Sequence, residues 1–163
     1  MPTLNDDMIG PISDRLMTAM SGYAGKYPGE SAQRQPVHTV YGGAHLFKSD
    51  TAKRLGALGV RSFEAFAANA EELGSILGIP TNIRSAVYEC VAEKLGREAV
   101  EDFRIDFEDG YGIRPDAEED GHAESAAREV AKGIADGTLP PFIGIRIKTF
   151  SAELHKRAFR TLD

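Results

Sequence analysis

Two short runs, "FRIDFED" at residues 103–109 and "FIGIRIK" at 142–148, alternate apolar with charged or small residues in the same phase. Ile105 and Phe107 fall on one face of the first run, with Arg104, Asp106 and Glu108 on the other; in the second, Ile143, Ile145 and Ile147 oppose Gly144, Arg146 and Lys148. A period of two marks strands. Between the runs lies "DAEEDGHAESAAREVAKGIADG", whose acidic start suits a helix N-terminus and whose Ala123, Ala126, Ala127, Val130 and Ile134 predict an inward apolar stripe. An earlier β-rich run, "PVHTVY", ends at Gly42-Gly43 and leads to a helix expected to start at Ser49 or Asp50 and to stop at Gly59. Strands separated by helices pair in parallel through right-handed crossovers and are covered by helices. On that reading the apolar faces meet the helical layer, and Asp106, Glu108 and Arg146 face the interior of a closed barrel.

The predicted fold class is therefore α/β: the N-terminal part, about three of eight strands, of a (β/α)8 TIM barrel. Two further amphipathic patterns, "SFEAFAANAEELGSILG" and "NIRSAVYECVAEKLG", predict an inserted helical pair between the first two strands. Residues 1–35 read as a short helix over 5–20 and a Gly/Pro/Ser-rich loop, and 36–163 as the partial barrel domain. "SAELHKRAFRTLD" reads as a helix still running, so the domain is expected to continue past residue 163.

Composition narrows the function classes. A net charge of −6 disfavours non-specific binding to nucleic acid or to an anionic membrane. The single cysteine, Cys90, excludes an internal disulfide or a thiolate metal cluster, and no apolar run resembles a signal or a membrane span, so a cytoplasmic protein is expected. Oligomeric state is left open, a homo-oligomer included.

Chemistry concentrates at the ends of the predicted strands. Asp106, Glu108 and Asp109 form a carboxylate cluster where a barrel places its active site, suited to ordering a hard cation or its waters. The opposing reading is a solvated acidic face. Arg146 on the neighbouring strand suits bidentate capture of a carboxylate or phosphate, or a structural ion pair with Asp106 or Glu108. Lys148 is a weaker substrate-binding candidate, since such a lysine often only extends its ammonium to water. His45, after two glycines, is placed for a base or a binding contact, although loop histidines are commonly neither. His38, His122 and His155 read as surface or packing residues. "GYAGKY" lacks the glycine spacing and hydroxyl of a P-loop, and "DAEEDGHAESAA" lacks the terminal glutamate of a calcium loop.

Taken together, "DFRIDFEDGYG", the acidic loop after it and "FIGIRIK" resemble the aldolase/citrate lyase β-subunit-like family of the phosphoenolpyruvate/pyruvate barrel superfamily, in particular an aldolase-like branch. The resemblance runs from about Pro36 to the end of the chain. It implies a carbon–carbon lyase acting on a 2-oxo acid through an enolate stabilised by Mg2+ or Mn2+. Asp106, Glu108 and Asp109 match the family's Asp-X-Glu-Asp signature, and Arg146 matches its substrate-carboxylate arginine. Glu108 and Asp109 would order metal-bound water, the direct ligands lying on later strands. Two departures stand out: "GGAHLF" replaces the family's proline-containing turn, and the loop after the second strand is longer than in citrate lyase. Phosphoryl transfer involving phosphoenolpyruvate, or a non-catalytic fragment dependent on a partner, are the alternatives.

Overall fold

The computed structural model describes residues 6–163, apart from the side chain of Asp6. The chain divides at Gln35/Pro36 into two compact units. The first holds helix α1 (Asp6–Lys26); the expected 5–20 helix runs about two turns further, through Gly22 and Gly25, before the loop begins. The second holds β1 (Thr39–Gly43), a 3-10 turn (Ala44–Leu46), α2 (Thr51–Phe66), α3 (Ala70–Leu77), a second 3-10 turn (Thr81–Ile83), α4 (Arg84–Glu98), β2 (Asp102–Asp106), α5 (Asp116–Asp136), β3 (Phe142–Arg146) and α6 (His155–Leu162).

The three strands form one parallel sheet in the order β1-β2-β3. Register aligns Val40, Phe103 and Ile143 across the sheet, and one residue on aligns Tyr41, Arg104 and Gly144. Because parallel partners share a face, Phe103, Ile105 and Phe107 point to the helices, where they are almost wholly buried with Phe47, Val100, Tyr111 and Ala126. Each such side chain contributes about 1.5–3 kcal/mol of burial. Ala123 and Val130 on α5 and Ala52 on α2 close over them. The chain is thus a mixed α/β protein with a small parallel sheet, and the phase expected from alternation is the phase observed. The inward stripe of α5 is narrower than expected: Ile134 is 70% exposed and Ala127 is exposed, while Ala123, Ala126, Val130 and Gly133 form the face turned to the core.

The expected helix over residues 62–78 is two helices. Ala67 leaves helical geometry with φ −146° and ψ 62°. Asn69 then caps α3 by accepting a hydrogen bond from the Glu72 amide, while Glu72 accepts one from the Ala68 amide. Asn-x-x-Glu is a helix-start signature that overrides the continuous apolar period. Conversely Gly59 does not stop α2; a side chain there would press on Leu95, and Gly56 faces Ala99 in the same way, so both glycines serve the close approach of α2 to α4. The cap position is Asp50, but its carboxylate binds Arg54 instead of the helix amides.

Candidate active site at the carboxyl ends of the strands

The β2 strand ends in a loop built around Asp106. Its Oδ1 accepts the Glu108 amide at 2.8 Å and its Oδ2 the Gly110 amide at 2.9 Å, so a nearly fully buried carboxylate folds residues 107–110 back over the strand end. Gly110 fits because it has no Cβ; one built there would lie 3.0 Å from Asp106 Oδ2. Gly43, opposite Asp106 on β1, fits for the same reason, since a methyl group would collide with the Gly110 carbonyl oxygen and the His45 ring.

Arg146 completes this layer from β3. It lies in register with Asp106 and Gly43, with Nη1 3.5 Å from Asp106 Oδ2 and Nη2 2.8 Å from Asp109 Oδ2; it also pairs with Glu108. The guanidinium stands 5.6 Å from the Tyr41 ring centroid on the same face. The hydrogen bond to Asp109, reinforced by the charges of Glu108 and Asp106, raises its pKa further, so it remains a cation throughout the accessible pH range. Three carboxylates therefore face one guanidinium, an excess of two negative charges when all are ionised. Their freedom differs: Asp106 is committed to the loop amides, whereas the Glu108 side chain is 30% exposed and that of Asp109 79%. Below this layer, Thr39 donates to Asp102 at 2.8 Å and Arg104 pairs with Asp102 at 3.0 Å, filling the same face with a second polar layer.

Asp106, Glu108, Asp109 and Arg146 are thus brought together. His45 is adjacent, while Lys148 is turned away from them. His45 lies in the turn after β1, its ring 5.7 Å from that of Tyr111 and 6.2 Å from that of His122. Burial, with Arg114 and His122 alongside, lowers its pKa, which favours a neutral imidazole at neutral pH; its buried Nδ1 has no hydrogen-bond partner. β3 stops at Arg146, and the chain turns so that Lys148 enters the helical side beneath the β2–α5 loop. There its Nζ donates to the Phe107 carbonyl at 2.7 Å and to Glu119 at 2.8 Å, only 6% exposed instead of reaching water.

Residues without a functional reading in the sequence hold this arrangement together. Glu119, 1% exposed, pairs with Lys148 and with Arg157 and accepts the Thr161 hydroxyl at 2.9 Å, tying α5, the β3 end and α6 into one knot. Tyr111 Oη lies 2.6 Å from His122 Nδ1. Burial raises the phenol pKa, so Tyr111 keeps its hydroxyl proton. Acidity at the start of α5 predicts a helix cap, and nothing in the sequence separates Glu119 from Asp116 and Glu118; only the approach of α6 does.

Among the described residues, no group of three or more His, Cys, Asp or Glu side chains is arranged to hold a metal ion by itself, and no helix is long and apolar enough to cross a membrane. Residues 16–163 match a protein family whose description is "Domain of unknown function (DUF6986)". No curated protein and no solved structure matches the chain.

Proposed function

We propose that this chain, which belongs to the DUF6986 family, supplies the first three strands of a (β/α)8 enzyme that cleaves or forms a carbon–carbon bond beside a 2-oxo acid. Two sheet edges left open among the described residues, and a sheet face whose ionic side chains pair with one another, support closure by further strands, since an unpaired edge is an association hazard and paired charges can line a barrel interior. The observation that carries the reaction class is the Arg146 cluster at the carboxyl ends of parallel strands, where barrel active sites lie.

The charge balance of that cluster decides what it suits. An anion approaching Arg146 alone would meet the surplus of two carboxylates, whereas an anion arriving with a divalent cation would not. Mg2+ binds through one or two carboxylates plus waters and substrate oxygens, and the half-buried Glu108 and exposed Asp109 fit that pattern as groups that would hold its water. A bound Mg2+ supplies Lewis acidity to the carbonyl and carboxylate of a 2-oxo acid. Arg146 orients the substrate carboxylate by its planar fork. Asp106 keeps Glu108 and Asp109 at the mouth through the loop amides, and His45, its pKa lowered by burial and its ring beside Gly43, is the nearby group suited to the role of base.

Arg146→Lys in the full-length protein is expected to raise the Kd for pyruvate at least about tenfold, because an ammonium lacks the bidentate geometry, with little change in Tm. Pyruvate affinity that stays constant, or falls only in step with thermal stability, identifies Arg146 as a structural ion pair and removes the reading. Glu108→Gln is expected to weaken Mg2+ binding about 10- to 100-fold by calorimetry, the size found for groups that orient a metal's ligands. An unchanged titration takes Glu108 out of the site.

A further inference from the structure

The α1 helix carries an apolar seam that the proposed reaction does not use. Ile9, Ile12, Leu16, Met20 and Tyr23 repeat at intervals of three and four and fall, with Tyr27 just past the helix end, within about 80° of arc at ~100° per residue. The five are 44–66% exposed. Gly10, Gly22 and Gly25, with Pro11 inside the helix, all reduce its intrinsic stability. A helix of this composition is marginal in water unless its apolar face is covered.

The occupant is legible in the order of the residues. The seam is symmetric about Leu16: Ile12 and Met20 lie four residues to either side, and Ile9 and Tyr23 seven. Reversing the helix therefore superposes the seam on itself, setting Ile9 against Tyr23, Ile12 against Met20, and Leu16 against its own copy. The outer layer then pairs the smaller Ile9 with the larger Tyr23, and the inner one pairs the β-branched Ile12 with the flexible Met20 of similar volume. The charges distinguish this from a parallel pair. Asp7 lies in the first turn and Lys26 in the last, so antiparallel packing puts opposite charges and opposed helix dipoles at both ends, whereas parallel packing stacks like on like. A membrane surface is a poor alternative, because Arg15 and Lys26 are outnumbered in the helix by Asp6, Asp7 and Asp14.

We propose that α1 is a homodimerisation element, in which two copies of the chain pair their α1 helices antiparallel about a two-fold axis at Leu16. The inference is independent of the reaction assigned to the barrel. The seam from Ile9 to Tyr23 is about 21 Å long, at 1.5 Å per residue, which places the interface at the small end of the stable range and the dimer in a concentration-dependent equilibrium.

Sedimentation equilibrium of the full chain tests this. A monomer–dimer equilibrium is expected; Leu16→Glu, which sets two carboxylates against each other at the axis, should raise its Kd at least about tenfold. Thr18→Glu, on the opposite face, should leave it unchanged. In a Cys90→Ser background, Leu16→Cys should form an intermolecular disulfide under mild oxidation, as should an equal mixture of Ile9→Cys and Tyr23→Cys chains, but not Ile9→Cys alone. A strict monomer overturns the proposal, as does a dimer indifferent to Leu16→Glu. So does a Leu16→Glu protein that melts earlier at unchanged mass, which would place the seam against its own domain, and so does co-sedimentation of the wild-type chain with anionic phospholipid vesicles.

Discussion

Replacing Glu119 by alanine is expected to destabilise the protein by about 3–5 kcal/mol, the loss typical of removing one partner from a buried ionic cluster. The size follows from what remains. Lys148 would keep its charge beneath the β2–α5 loop with no carboxylate beside it, Arg157 would retain only Asp116 as an ionic partner, and the Thr161 hydroxyl would keep only the Arg157 carbonyl as acceptor. Lys148 would retain only the Phe107 carbonyl and the face of the Tyr111 ring, 5.1 Å from its centroid. Denaturant unfolding of Glu119→Ala measures the loss directly, and the double variant Glu119→Gln/Lys148→Met should recover part of it by removing the stranded charge. A loss under about 1 kcal/mol would equate the cluster with a surface salt bridge and refute its role in anchoring α6.

Asp106→Ala is expected to cost about 2–4 kcal/mol, because it leaves the amides of Glu108 and Gly110 without their charged acceptor and Arg146 without one of three partners. The effect should be local as well as global. Hydrogen exchange at Glu108 and Gly110 should accelerate far more than at Phe103 or Ile105, whose amides belong to the sheet. Asp106→Asn is the informative companion: its carbonyl oxygen can serve one amide, but its amino group faces the other as donor against donor. Protection at Gly110 that survives both changes would show that the loop is held by Tyr111 and its packing instead of by Asp106.

These two residues mark the boundary between what the amino-acid order fixes and what it does not. Alternation in "FRIDFED" and "FIGIRIK" sufficed to place Phe103, Ile105 and Phe107 against helices and Asp106 and Arg146 together on the opposite face, because a strand's period of two is a local property and the intervening helix forces parallel pairing. The break between α2 and α3 was equally local, written in Asn69 and Glu72, although a continuous apolar period masks it. The fates of Glu119, Lys148 and His122 were not local. Glu119 has the same helical neighbourhood as Glu118, yet one is buried among cations and the other exposed, a difference set by where α6 brings Arg157 and Thr161. Lys148 continues the phase of Arg146 in the sequence but leaves it in space, because β3 ends at Arg146 and the chain turns under the Phe107 carbonyl. Periodicity specifies the face on which a residue of a regular element lies; the environment of a residue past the end of an element depends on which distant segments pack there, and only the tertiary structure decides it.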